Sequence, residues 1–284
     1  MGTMDFRPTI VLEGGLGNRM RVAAAAYSMD LRMGLGMRVL WTRQWGMHCR
    51  LDQLFQPFDD AALGFSMHDA EGWERFVLTR PKLTNLYLPR LLQHLSYRNI
   101  ILSPQIYYLN EGGFDYESWF RRGSNLMFAY RHFCKWEPEL LRRLFHPIPS
   151  VLKLADELCG SFTPHTIGCH IRRTDNQQSI DESPTVLFTE ALDKECEQNA
   201  DTRIFLATDD NPTKQQLLQR YGSHRLICQP QQATRDSVTG IQDALVEMIA
   251  LSRTSHVYGT AGSTFSEIAT LWGGIPLTIL RNNM

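Results

Sequence analysis

The second half of the chain alternates two kinds of segment with a regularity that few folds allow. Strand-like runs read "TIGCHIRR" (166–173), "RIFLATDD" (203–210), "RLICQP" (225–230), "HVYGT" (256–260) and "PLTIL" (276–280). Helical patterns at 185–199, 212–222, 240–254 and 264–272 lie between them. The runs are nearly continuous in hydrophobicity, as strands buried on both faces require. Strand and helix at this spacing predict an α/β fold with a doubly wound parallel sheet. Ligands of such sheets bind outside the carboxyl ends of the strands, so the residues closing each run are the first candidates for function.

The N-terminal half begins in the same style, with a strand at 9–13, a glycine turn, a helix at 18–33 and a strand at 38–42. It then becomes irregular and rich in aromatics and arginine, as in "QIYYLNEGGFDYESWFRRG" (105–123), while "NIIL" (99–102) is expected to return to the sheet. The prolines of "HPIPS" (146–150) predict a boundary, giving an N-terminal α/β domain over 1–149 and a C-terminal Rossmann-like domain over 150–284. A length of 284 residues suits two domains of moderate size. Two such domains facing each other make a cleft between sheet edges, fit for an elongated, two-part ligand.

With 29 basic and 30 acidic residues the formal net charge is −1, so no global field draws the chain to nucleic acid or to an anionic membrane. Any basic site must be local. The six cysteines stand singly, without Cys-x-x-Cys or zinc spacing, and Cys169 falls inside an apolar strand pattern. The opening "MGTMDFRPT" has no apolar core of a signal peptide, no run approaches a membrane span, and no Asn-x-Ser/Thr sequon has a permitted middle residue. A reduced, cytoplasmic setting without a membrane span is the expectation.

The loop in "VLEGGLGNRMRVAAAAYSMDLRMG" (11–34) invites a dinucleotide reading, which it does not meet. Gly15 and Gly17 supply the first two glycines of G-x-G-x-x-G, but the third position is Met20. The next strand-like run, "MRVLW", is followed by Thr42 and Arg43 with no acid to hold a ribose. What remains is a tight turn needing positive φ, or a loop lining some other cleft.

Chemistry concentrates in "CHIRRTDN" (169–176), where His170, Arg172, Arg173 and Asp175 crowd a strand end. Adjacent arginines on a strand point to opposite faces, so one reaches the cleft while the other pairs with a carboxylate behind the sheet. An arginine fork suits phosphate because it makes two parallel charge-assisted hydrogen bonds. In "GTAGSTFSEIATLWGG" (259–274), Ser263 and Thr264 precede a helix, with Glu267 placed for a capping box on Thr264. The same helix start, reached through Gly259, Ala261 and Gly262, also offers N–H groups to an anion. Asp209 and Asp210 end another strand, where they bind a base, a ribose or a metal, or cap the helix ahead of Pro212. No Asp-x-Asp occurs, so a metal-bridged diphosphate is not signalled; arginine and a helix terminus would take the metal's place. The aromatic and arginine-rich segment 106–136 offers rings for stacking a ligand, although core packing claims many of them.

Taken together, "IGCHIRRTDN", "FLATDD", "ALVEMIALSRTSHVYGTAGSTFSEIATLWGG" and "GGLGNRMR" resemble the α1,2/α1,6-fucosyltransferase and protein O-fucosyltransferase superfamily, most of all its small bacterial α1,6 members of the chitin-oligosaccharide type. The resemblance touches both halves and is densest over 166–274. It implies a GT-B-like fold, GDP-fucose as donor, an oligosaccharide or polysaccharide acceptor, no metal or other cofactor, and inversion at the anomeric carbon. By position, Arg172 matches the arginine that holds the β-phosphate and stabilises departing GDP. Arg173 and Asp175 match positions shaping the site, and His170 would lie against the nucleoside. Gly262, Ser263 and Thr264 correspond to the segment bonding the phosphates, which Gly15, Gly17 and Asn18 would approach from the N-terminal domain.

Two positions depart from the pattern. The guanine-reading acid of related enzymes, an Asp five residues before a Ser, corresponds here to Glu247 before Ser252. The general base of α1,6 relatives falls on Ile180, and Asp181 and Glu182 follow at once, where a loop would present either. Alternative readings are a transferase for another nucleotide sugar, or a nucleotide- or glycan-binding protein without catalysis.

Overall fold

The computed structural model describes residues 7–43, 46–79, 81–174, 177–231, 234 and 236–282. The chain divides into two compact units, the first ending at His146 and the second running from Pro147.

The N-terminal unit runs β1 (Thr9–Leu12), α1 (Leu16–Met33), β2 (Arg38–Trp41), β3 (Phe58–Asp60), β4 (Phe65–Asp69), α2 (Gly72–Val77), α3 (Leu88–Ser96), β5 (Asn99–Ile101), α4 (Ser103–Glu111), α5 (Tyr116–Arg121), β6 (Asn125–Ala129) and α6 (Glu139–Leu144). Its sheet has the order β3-β4-β2-β1-β6-β5, parallel throughout except for the β3–β4 pair. β1 lies inside, every residue buried, and the strand order reverses between it and β6. β4 and β6 were not read from the sequence. "FSMHD" does alternate, with Phe65 and Met67 buried and His68 exposed, but "NLMFA" is buried throughout and holds no β-branched residue.

The glycine loop sits at that reversal, where the Glu13 N–H donates to the Ala129 carbonyl at 2.8 Å. The positive φ expected of the loop falls on Gly14 (+78°), which the G-x-G template passes over. A Cβ there would stand 2.8 Å from Asn18 Nδ2 and 3.3 Å from Tyr130 Cβ. Gly15 is the N-cap at φ −76°, and the helix begins at Leu16, so Gly17 and Asn18 lie within its first turn. Behind the loop, Arg19 is fully buried. Its Nε donates to the Gly14 carbonyl at 2.8 Å and its guanidinium lies 4.9 Å from the Trp41 ring centroid, while Nη1 and Nη2 have no hydrogen-bond partner among the described residues. Burial lowers its pKa to about 9 against the opposing charges of Glu13 and Asp69.

The C-terminal unit runs α7 (Pro149–Cys159), β7 (Thr166–Ile171), α8 (Gln177–Glu182), α9 (Thr185–Gln198), β8 (Arg203–Thr208), α10 (Asn211–Tyr221), β9 (Leu226–Cys228), α11 (Val238–Ser252), β10 (His256–Thr260), α12 (Thr264–Gly273) and β11 (Leu277–Leu280). The five strands are all parallel in the order β11-β10-β7-β8-β9, the doubly wound sheet that the alternation predicts. Ile167, Ile171, Ile204 and Leu206 of the sheet pack with Phe188 and Leu192 of α9 in one core. A Cβ on Gly168 would stand 2.8 Å from Thr254 Oγ1 and 2.9 Å from Val257 Cγ2, so glycine lets the end of α11 close on β7. The strand order reverses between β7 and β10, and their carboxyl ends border the crevice. One departure from the sequence reading is α8. Asp181 and Glu182 end a short helix instead of lying in a loop.

Gly14→Ala is expected to cost about 1–3 kcal/mol, from left-handed strain and the contact with Asn18. Gly15→Ala should stay within about 0.5 kcal/mol, because unfolded-state entropy and N-cap preference offset each other there. Urea unfolding of both variants checks the contrast.

Candidate functional site

Three carboxyl ends meet at the edge of the C-terminal sheet: β7 in the middle, β10 on one side and β8 on the other. The Thr260 hydroxyl, fully buried, fastens the first pair. It accepts the Arg172 N–H at 3.1 Å and donates to the His170 carbonyl at 3.1 Å. Asp209 fastens the second, accepting the Arg173 N–H at 2.7 Å and the Thr174 hydroxyl at 2.6 Å. The backbone over 172–174 is thus clamped from both neighbouring strands.

The Arg173 side chain turns back into the protein. The Arg173 guanidinium donates to the carbonyls of Arg172 and Ser183, each at 2.8 Å, and to Thr185 Oγ1 at 3.0 and 3.2 Å. It also lies 5.9 Å from the Phe188 ring centroid. Burial lowers its pKa, opposed by the charges of Asp209 and Asp210. Among the described residues, no carboxylate accepts a hydrogen bond from the Arg173 side chain, so the carboxylate partner expected of one arginine is not found at this one. Carbonyls and a hydroxyl hold the Arg173 guanidinium, and Asp209 binds its backbone. Arg172 is half-buried at the same strand end, its backbone N–H held by Thr260.

The turn from β10 into α12 passes through Gly262 at φ +67°. Ser263 is the N-cap, but its Oγ makes no cap hydrogen bond and lies 3.5 Å from His170 Nδ1. Thr264 is not the N-cap that the expected capping box with Glu267 requires, because the helix starts one residue earlier than that motif needs. His170 is buried and stacks on Phe265, ring centroids 4.9 Å apart. Ser183, fully buried, accepts the Ala261 N–H at 2.9 Å, so the residue whose carbonyl holds Arg173 also holds the α12 turn.

Glu247 lies on the buried face of α11, 7% exposed. Burial pushes its pKa up to about 8; Lys214 opposes the shift, while the charges of Asp243 and Asp209 add to it. Lys214 is itself buried, its ammonium donating to the carbonyls of Gln229 and Pro230. Asp209 thus acts electrostatically on both Arg173 and Glu247. Asp210 is the N-cap of α10, accepting the Thr213 N–H at 2.8 Å. Asp181 and Glu182 accept from Gln177 Nε2 at 2.8 Å and Gln178 Nε2 at 2.6 Å. Asp175 lies outside the described residues. Gly15, Gly17 and Asn18 belong to the N-terminal unit, as described above.

Sequence reasoning missed Thr260, Ser183 and Lys214. The first two are small hydroxyl residues beside glycine or proline, a context that ordinarily signals only a turn. A lysine inside a polar helix pattern carries no mark of burial. A cavity of about 430 Å³ lies at the opposite, amino end of this sheet, lined by His165, Arg203 and His224 among others, and holds none of these residues.

No family model matches the chain, and no match is found among curated proteins. Solved structures do match. A NodZ α1,6-fucosyltransferase soaked with GDP-fucose aligns over 94% of this chain and 92% of its own, at 16% identity and a TM-score of 0.60. A mutant of Arabidopsis thaliana FUT1 in complex with GDP covers 100% of this chain and 72% of its own, at 16% identity and a TM-score of 0.58. POFUT1 in complex with GDP covers 97% and 98%, at 12% identity and a TM-score of 0.54. At such identities the likeness is one of fold, and the chain has the GT-B-like fold of two Rossmann-like α/β units.

Because the Arg173 fork serves several internal acceptors that an ammonium cannot all reach, Arg173→Lys should cost about 1–3 kcal/mol. The melting temperature should then fall by roughly 3–10 °C. Arg172→Lys should melt within about 2 °C of wild type. Differential scanning calorimetry distinguishes the two.

Proposed function

We propose that the chain is an inverting glycosyltransferase that moves fucose from GDP-fucose to a hydroxyl of an oligosaccharide or polysaccharide without a metal ion. The observation that carries this reading is one sheet edge. It carries Arg172 and the turn through Gly262 and Ser263 into α12, and the reading adds the buried carboxyl of Glu247 on α11 to them. NodZ soaked with GDP-fucose and POFUT1 in complex with GDP support it through their shared fold.

In this mechanism charge develops on the diphosphate as the glycosyl–oxygen bond breaks. The Arg172 fork and the N-terminal turn of α12 stabilise that charge in place of a metal. Arg173 and Asp209 act beneath them, holding the backbone that aims Arg172. His170, stacked on Phe265, forms the floor beside Ser263. Glu247 reads guanine by accepting its ring N–H and amino donors. The acceptor hydroxyl attacks the opposite face of the sugar, and a carboxylate of α8, Asp181 or Glu182, takes its proton. One observation favours a second reading, a donor-binding protein without transferase activity: both α8 carboxylates are engaged by glutamines one turn earlier. Release of GDP from GDP-fucose separates the readings, since a binding protein would leave the donor intact.

The proposed guanine contact has a pH signature. With its pKa raised to about 8, Glu247 is protonated at pH 7 in the empty protein. Guanine offers donors and favours the carboxylate, so binding must release a proton. GDP affinity should therefore rise with pH, by about tenfold per unit well below 8, and level off above it. Glu247→Gln should remove that dependence and narrow the margin of GDP over ADP. Calorimetric titration of GDP, ADP and UDP in excess chelator tests the reading. A strict need for magnesium or manganese, or equal affinity for the three nucleotides, would contradict it.

A further inference from the structure

Among the described residues, eight of the fifteen large apolar side chains that stand exposed fall between residues 73 and 95. Within that stretch α3 is inverted relative to an ordinary surface helix. Its buried polar residue is Gln93, which donates from Nε2 to the Val77 carbonyl at 2.8 Å and ties the helix to the end of α2. Its leucines point the other way. Leu88, Leu91 and Leu95 form one stripe at i, i+3 and i+7, and they are 43%, 58% and 68% exposed. α2, packed against α3, displays Trp73 and Phe76 one turn apart, ring centroids 5.4 Å from each other.

The connection between the two helices is built to the same end. After a short turn at Leu83–Asn85, both Leu86 and Tyr87 adopt left-handed φ, +52° and +53°. Neither is glycine, and both side chains are exposed. Backbone strain at two successive displayed apolar residues is the kind that structures retain at functional surfaces.

The charge around this face is one-sided. Arg75, Lys82, Arg90 and Arg98 are all exposed there, and the acids over 71–98 are Glu71 and Glu74, paired with Arg50 and Arg38 respectively. In a chain of net charge −1 this is a local basic patch. A second copy of the chain stacked on the face would press the same cations together. A glycan would stack on Trp73 and Tyr87 but would leave the five exposed leucines, which offer it neither a ring face nor a polar partner, uncovered. An anionic bilayer meets all three features: apolar side chains enter the acyl boundary, cations meet headgroups, and Trp73 and Tyr87 suit the interface. No helix among the described residues is long and apolar enough to cross a membrane, so such contact is peripheral.

We infer that the face formed by α2, α3 and their connection docks the protein on the surface of an anionic lipid bilayer. This does not rest on the donor site and stands or falls apart from it. The test is co-sedimentation of the full chain with vesicles of phosphatidylcholine and phosphatidylglycerol, about two to one, and with phosphatidylcholine alone. The protein should pellet with the mixed vesicles, less so at high salt, and stay in solution with the neutral ones. Leu91→Gln combined with Leu95→Gln, both exposed, should lower the partition coefficient by about tenfold or more with unchanged circular dichroism and melting. Lys82→Gln combined with Arg90→Gln should remove the preference for anionic lipid. Failure to pellet with mixed vesicles, or equal binding by the leucine variant, overturns the inference. So does a dimer in sedimentation velocity without lipid that the leucine variant dissolves, since the face would then be a contact between copies.

Discussion

The guanidinium of Arg173 ties three segments into one edge. Its nitrogens hold the carbonyl of Arg172 at the end of β7, the carbonyl of Ser183 after α8, and the hydroxyl of Thr185 at the start of α9. Through the Ser183 hydroxyl the network reaches the turn into α12, and through its own N–H it reaches Asp209 after β8. A planar fork with five donors meets these acceptors at once, and each such bond in a partly buried place resists local opening. The path of the backbone at Arg172 and the turn that leads to Ser263 are both held by this clamp.

Against that rigidity stand two ionisable groups kept in poor surroundings. Glu247 is buried where its charge is disfavoured, and behind the glycine loop Arg19 holds two guanidinium nitrogens without partners among the described residues. Burying such groups costs free energy that packing elsewhere must offset. For Glu247 the cost is small while the carboxyl keeps its proton, and a ligand offering donors reverses the balance. As pH rises from the ordinary carboxylate range toward 8, the empty fold loses stability from this group, because the unfolded chain ionises first. A donor-bearing ligand would restore it.

Much of the C-terminal unit was legible because both-face burial and period 3.6 leave strong marks. The five strand runs and the helices between them follow from alternation and periodicity alone. The N-terminal unit was less legible for reasons that can be named. β6 carries no β-branched residue, and the left-handed glycine of the loop is Gly14, one place ahead of the motif. Around the site, Thr260, Ser183 and Lys214 act through burial and partners far away in sequence, which no local pattern records. The leucine stripe of α3 shows the limit most clearly. Periodicity shows that a helix has an apolar face, and only the packing of Gln93 shows that this face points outward.

The central claim is that the carboxyl edge of the C-terminal sheet is where a guanosine diphosphate sits. Hydrogen–deuterium exchange of the full chain with and without GDP, in excess chelator, addresses it directly. The account predicts slowed exchange at the backbone after β7, through the turn from Thr260 into the first turn of α12, and on α11 around Glu247. Protection confined to other segments, or none at nucleotide concentrations that saturate binding, would contradict it.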